Sequence, residues 1–396
     1  MNKKSILFKA SLLSISMVIA GGPAASSLIP LIQASFTNQS TSAIELIATI
    51  PNFGILLFVL LSNFVLKVIG RRNTVLLGLS IALVSGLIPV IADNYYLILL
   101  SRFFFGVGIG MYNALAVSLI TQLYDGNELA SLMGFQSALS FIGSTTMTLI
   151  VGHLTKFGWH TSFLAYALTL LPLVLFALFV KIPESEFETN EPLEKEKKAK
   201  ETVNMETIGM MILAFTIFAL FFVIMLKSAT FLVETGIGKP EDAAKTLSTI
   251  TMVGIGVGLL YGKIYKVLKQ WVLPIGLTGM GLGFMIILFS NSVAMVMVGT
   301  IVSGLFYSMA APFLFMLVGK LAPKNSINLA TALYLVGVNL GVFLSPIINS
   351  WLSKIFQNQQ ASNNFLVNGI ALMALGMISL IVLMMLKQKE SKVMTD

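Results

Sequence analysis

The chain has 396 residues, 56% of them hydrophobic and only 11% charged, with a formal charge of +8. An ordinary soluble domain carries roughly 25% charged residues, so water cannot be the solvent for most of this surface and the chain reads as a membrane protein. Cysteine is absent, which excludes disulfides and thiolate-held metals.

A helix needs about 20 mostly apolar residues to cross a hydrocarbon core roughly 30 Å thick. Charge-free intervals of that length predict six helices near 10–35, 44–67, 74–92, 95–121, 129–154 and 159–181. Six more follow near 206–233, 242–267, 271–290, 293–319, 326–353 and 363–387, with Ser290, Asn291 and Ser292 splitting one long uncharged run. The fold class is therefore all-α, twelve spans in two six-helix bundles, 1–182 and 206–396. Between them, 183–205 is too charged and too poor in aromatics to bury a core and reads as a solvated linker. The N-terminus has the basic start and apolar middle of a signal peptide, but Lys9 interrupts it and cleavage would leave an odd helix count, so cleavage is not expected.

Basic residues set the orientation, since cytoplasmic loops retain Lys and Arg. With the N-terminus inside, nineteen of the 25 Lys and Arg lie in inner segments; the other six are Arg102, Lys156, Lys227, Lys239, Lys245 and Lys354. Both termini are thus expected in the cytoplasm of a cell-membrane protein, a bacterial one. The positive charge is a topology signal with some attraction to anionic headgroups, not a nucleic-acid footprint. His153 and His160 fall in an external loop as interfacial polar residues.

The halves show a weak internal repeat. A shift of 199 aligns Leu60, Leu61, Lys67 and Val68 with Leu259, Leu260, Lys266 and Val267, and a shift of 198 aligns Gly78, Gly106 and Gly143 with Gly276, Gly304 and Gly341. Two parallel six-helix halves of this kind describe a transporter rocking about a site near mid-membrane.

Three local patterns follow in chain order. Between helices two and three, NFVLKVIGRRN ends in Gly70, Arg71 and Arg72, a tight turn carrying donors for carboxylates or helix C-terminal carbonyls; Asp125 and Glu128 are the nearest acids on that side. In helix four, Arg102 is followed by Gly106 and Gly108. Eight residues from Asn94 at 1.5 Å each place Arg102 roughly 12 Å deep, where a charge usually faces a cavity or a partner. Elimination among the seventeen acids leaves Glu45 as its best partner, with Glu234 and Lys227 as a separate external pair. In helix five, Gly134, Gly143 and Gly152 are regularly spaced, and helix eleven has Gly337, Gly341 and Ser345-Pro346, positions for close packing and a bend.

On these motifs the chain resembles the major facilitator superfamily over essentially its whole length. The loop is similar to the family signature G-x-x-x-D-[RK]-x-G-R-[RK], with Asn63 for the first glycine and Lys67 for the aspartate. The helix-four residues reproduce R-x-x-x-G-x-G, especially as in proton-coupled efflux members, and helix five keeps part of an efflux-antiporter pattern with Met147-Thr148 in place of Gly-Pro. The resemblance implies alternating access, a cytoplasmic latch at Gly70, Arg71, Arg72, Asp125 and Glu128, and a cavity lined by helices one, four, seven and ten. Carried onto this sequence, that lining draws on Arg102, Asn113, Tyr112, Gln33 and Tyr307, helices five and eleven add Gln136 and Asn339, and Gly106, Gly108, Gly143, Gly341 and Pro346 serve packing.

The expected function is secondary active, proton-coupled export of small amphipathic molecules or drugs, with Glu45 and Arg102 coupling proton movement to access. The absence of a G-x-x-x-x-G-K-[ST] phosphate loop disfavours ATP hydrolysis, and no catalytic His, Asp or Cys cluster points to an enzyme. The alternatives are an importer of a small organic anion with Arg102 as counter-charge, or a lipid flippase. The expected partners are a small-molecule substrate, protons or another coupling ion, and the bilayer, with the protein monomeric and free of cofactors.

Overall fold

The computed structural model describes residues 5–19, 21–180, 202–323 and 326–393. Residues 181–201, most of the expected linker, lie outside the described residues. The described chain is helical almost throughout, and it divides into two compact units, Met1–Lys200 with Val342–Pro346, and Glu201–Gly341 with Ile347–Asp396.

Among the described residues ten helices are long and apolar enough to cross a membrane, and the bent pair Ile6–Ile19 with Gly22–Ser35 makes an eleventh. One of the ten is the 49-residue run Pro240–Leu288. Lys269, at φ 49°, and the 3-10 turn Lys269–Trp271 divide it into Pro240–Leu268 and Val272–Leu288, which restores the expected twelve.

The polar residues that punctuate the sequence become helix caps. Ser40, Asn94, Asn204 and Ser292 each accept a main-chain N–H from the first turn that follows, supplying acceptors to donors that have no intrahelical partner. One junction falls where the sequence puts it, and two spans depart from continuous α-helix. The second and third spans, within Thr41–Leu87, are separate helices that meet in a turn at Gly70 with φ 78° and ψ 166°, a backbone state that costs a glycine little. The first span is broken: helix Ile6–Ser14 and a short turn Ser16–Ile19 give way to a 3-10 segment Gly22–Leu28 before helix Ile29–Ser35, with a bend of 42°. The sixth span is also interrupted, by the 3-10 segment Phe163–Thr169 between Trp159–Ser162 and Leu170–Phe179. Runs of 3-10 helix this long are uncommon because their hydrogen-bond geometry is poorer, and mid-helix they often mark a hinge.

Contacts within each unit make the repeat physical. The fourth span, Tyr95–Leu123, and the tenth, Val293–Leu321, are both 29 residues long and start 198 positions apart. A Cβ on Gly106 would collide with the Pro51 carbonyl of the second span, and one on Gly304 would press on Ile250 of the eighth. Gly143, in the fifth span Gly126–Leu154, lies against the Met17 carbonyl of the first; Gly341, in the eleventh span Ile327–Ile355, lies against the Phe215 carbonyl of the seventh. Gly78 meets the Gly108 carbonyl, and Gly276 meets Ala310 and the Phe306 carbonyl. In every pair the touching residue shifts by the same 198 or 199 positions as the glycine. Without a hydrophobic force between helices in lipid, such close backbone approach is what holds spans together.

Gly106→Val and Gly304→Val should therefore each lower the thermal midpoint of the purified protein, since overpacking costs about 1–3 kcal/mol. Gly134→Ala, whose Cβ would meet nothing, should leave the midpoint unchanged or slightly raised. Equal behaviour of all three variants would remove the packing argument.

Candidate functional site

Arg102 is fully buried in the fourth span. Its Nε donates to the Ile47 carbonyl at 3.3 Å, and Nη2 donates to the Gly22 carbonyl at 3.1 Å and to the Tyr166 hydroxyl at 3.0 Å. That hydroxyl in turn donates to the Gly21 carbonyl at 3.2 Å. Nη1 has no hydrogen-bond partner among the described residues. The guanidinium carbon lies 4.6 Å from the Tyr166 ring centre, 4.7 Å from Phe105 and 5.7 Å from Phe163, inside the roughly 6 Å over which a ring face attracts a cation.

Two prolines bear on this arrangement, Pro51 in the second span and Pro23 at the break of the first. Proline has no N–H to give, so Pro51 inside the second span leaves the Ile47 carbonyl four residues earlier without its helical donor, while at the break of the first span the Gly21 carbonyl keeps a bond from the Ala24 N–H at 3.3 Å. In hydrocarbon no water is available to replace a missing bond, and each unsatisfied group costs several kcal/mol. Arg102 Nε supplies the donor that the Ile47 carbonyl lacks, and Arg102 Nη2 and Tyr166 add bonds to the Gly22 and Gly21 carbonyls. Two of the charged group's acceptors are thus backbone carbonyls, one at the break of the first span and one on the second, and it is also held to the 3-10 segment of the sixth.

Sequence elimination pointed to Glu45 as the partner. Glu45 is 1% exposed and sits two residues from Ile47, whose carbonyl takes the Arg102 Nε bond. The hydrogen bonds of Arg102 among the described residues end on carbonyls and a phenol, not on a carboxylate. Tyr166, Phe105 and Phe163 were missed. The available signals were the helical spacing of Arg102 to Phe105 and of Phe163 to Tyr166, and the Gly-Gly-Pro inside an apolar run.

At the other end of this unit the expected latch partners separate. Arg72 donates from Nε to the Val180 carbonyl and from Nη2 to the Ala177 carbonyl, both at 2.9 Å, and so caps the last turn of the sixth span, the carbonyl alternative for that loop. Glu128 pairs with Lys9 of the first span at 2.5 Å. Lys9 also lies 5.7 Å from the centre of the Tyr124 ring, and burial together with the Glu128 charge pushes the Tyr124 phenol up to about 12. Asp125 is exposed just before the fifth span. Gly70 makes the turn itself, and its carbonyl accepts from Thr74 Oγ1 at 2.7 Å.

The other expected cavity residues scatter. Tyr112 is fully buried and lies against Gly78 of the third span, a core position and not a cavity wall. Gln33 donates to the Gln39 carbonyl at 3.0 Å and so ties down the loop after the first span. Asn113 and Gln136 are half-buried. In the second unit, Tyr307 stacks flat on Phe221 with ring centres 4.2 Å apart. Asn339 donates to the Leu335 carbonyl of its own helix at 2.8 Å. Pro346 lies inside the eleventh span. Glu234, expected beside Lys227, accepts the Ala361 N–H at 2.9 Å and caps the twelfth span. Lys227 is buried, and Asn368 donates to Asn349 Oδ1 at 2.7 Å in the same unit.

A family model described as Major Facilitator Superfamily matches residues 11–272 and 266–394. The chain belongs to the Major Facilitator Superfamily. Family and fold make it a multi-pass membrane transporter and not an enzyme. Among relatives, a protein described as a TsgA homolog from Buchnera aphidicola is 20% identical over 319 residues, covering 80% of this chain and 81% of the relative. An uncharacterized transporter from Rickettsia bellii is 28% identical over 156 residues, and the match spans 38% of this chain and only 37% of that protein. Among solved structures, a peptide transporter of the POT family in complex with sulfate superposes with a TM-score of 0.74 at 14% identity, covering 95% of this chain and 94% of the other. The POT family transporter PepTSo gives 0.74 at 12% identity, over 98% and 99%. Identity this low establishes a shared superfamily fold.

Two expectations follow for this superfamily member. Arg102→Lys should not substitute, because a single ammonium cannot reproduce a planar fork bonding two carbonyls and a phenol; a thermal midpoint and transport rate equal to wild type would contradict the role. Lys9→Glu and Glu128→Lys should each lower the thermal midpoint while the double exchange restores most of the loss, read as a coupling energy in a double-mutant cycle.

Proposed function

We propose that this transporter is a proton-coupled exporter of small amphipathic molecules, working by alternating access in the cell membrane with both termini cytoplasmic. The observation that carries the reading is the burial of Glu45. It is the only carboxylate among the described residues to be fully buried, and it stands two residues from the carbonyl that holds Arg102. Intramembrane ionisable groups of this kind mark ion pathways by default.

The coupling then has a physical form. A charge-assisted bond to a carboxylate is roughly twice as strong as one to a neutral acceptor. An ionised Glu45 competes with the Gly22 and Ile47 carbonyls for the guanidinium, and a protonated Glu45 does not. Each proton taken up or released shifts Arg102 between holding and releasing the break in the first span, which changes the shape of that span. The flat Phe221–Tyr307 pair and the scarcity of buried acids suit neutral or weakly charged aromatic substrates.

One observation favours import of a small organic anion as a second reading: Lys227 puts a buried cation in the seventh span. Among the solved neighbours, POT transporters were crystallised with sulfate and with 5-aminolevulinic acid.

In proteoliposomes, Glu45→Gln should abolish transport driven by a pH gradient while leaving downhill exchange of the same substrate measurable. Full gradient-driven flux in that variant would end the coupling assignment. In cells, export predicts that the gene lowers accumulation of a probe and that an uncoupler restores it; import predicts the opposite sign.

A further inference from the structure

The second unit gathers positive charge at the end where its eighth and tenth spans finish. From residue 243 to residue 389 the sequence contains nine lysines and no aspartate or glutamate. Three of those lysines, Lys263, Lys266 and Lys269, are exposed on the last turns of the eighth span and the turn after it. Lys320, at the end of the tenth span, reaches the same level, because its Nζ meets the Tyr265 hydroxyl at 3.4 Å. The first unit handles its inner cations differently: Lys9 has Glu128, and Arg72 has two carbonyls.

We infer that this patch is a binding site for the headgroup of an anionic phospholipid. Lysines three apart on a helix are neighbours, with Cβ atoms about 5–6 Å apart, so Lys263 and Lys266 can share one phosphodiester, with Lys269 just beyond. Leu259 is 84% exposed and Val267 79% exposed on the same stretch of helix, so aliphatic surface for acyl chains is interleaved with the charges. Tyr261 and Tyr265 stack with ring centres 6.3 Å apart, and Trp271 closes the turn, aromatics of the kind that settle at headgroup level. An acidic stretch of polypeptide would satisfy the lysines and leave Leu259 and Val267 without a partner; a lipid satisfies both. On the orientation proposed above, the patch lies in the cytoplasmic leaflet, where anionic lipids attract basic segments. Only that choice of leaflet rests on the functional reading.

The test uses the full chain in nanodiscs of mixed phosphatidylglycerol and phosphatidylcholine, with co-purifying lipid counted by native mass spectrometry. Wild type should retain phosphatidylglycerol in preference to phosphatidylcholine. The triple variant Lys263→Gln, Lys266→Gln, Lys269→Gln should lose about tenfold or more of that preference, since each lysine near an anionic surface contributes on the order of a fivefold gain in binding. The triple arginine variant should keep it, which separates loss of charge from loss of fold. Equal retention of the two lipids by wild type, or unchanged preference in the glutamine variant, overturns the site. Preference that emerges only after Glu184, Glu186, Glu188 and Glu191 are changed to Gln also overturns it and assigns the patch to the chain's own acidic segment. Orientation is read separately by labelling a cysteine introduced near the N-terminus, so a wrong leaflet and an absent site give different results.

Discussion

The structure of the first unit turns on one constraint: a main-chain carbonyl inside a bilayer must find a donor within the protein. Pro51 leaves the Ile47 carbonyl of the second span without its helical donor, and Arg102 supplies one while also bonding, with Tyr166, the carbonyls at the break of the first span. Two costs that would each be severe alone, a guanidinium in hydrocarbon and a broken helix in hydrocarbon, offset one another. The aromatic faces around the guanidinium lower the cost further, because a desolvated cation over a ring gains about 2 kcal/mol. Position 102 thereby links three spans to the fourth, and two of those three carry 3-10 segments.

The two units share their helix framework and differ in their use of charge. Glycines at equivalent positions touch equivalent residues in both, so the repeat lives in backbone packing. The Arg102 position has Thr300 as its counterpart, a buried residue whose hydroxyl meets Thr249; no guanidinium is needed there. The second unit instead carries Lys227 within its seventh span, Met205–Glu234, and concentrates exposed lysines at one end.

Much of this was legible in the chain. Charge-free runs marked the spans because hydrocarbon thickness sets their length, and Ser290, Asn291 and Ser292 marked a break within one such run. The glycine spacing exposed the duplication because only small residues allow helices to touch in lipid. The identity of Arg102's partners was not legible. Counting acids finds carboxylates, but every residue carries a carbonyl, and which of them Arg102 reaches depends on how the spans pack. The loop at Gly70 shows the same limit: its arginines announced acceptors, and the acceptor chosen by Arg72 was a helix end over 100 residues away.

The amino-acid sequence by itself determined that the chain spans a membrane, that it does so in two related sets of six helices, and that position 102 is exceptional; these follow from hydropathy, period and composition, which are local. Only the tertiary structure decided what Arg102 holds, that Lys9 and not an arginine takes Glu128, and that Tyr112 lies in the core. Those outcomes depend on which helix faces meet and where a helix breaks, and both are settled by the mutual packing of residues far apart in the chain.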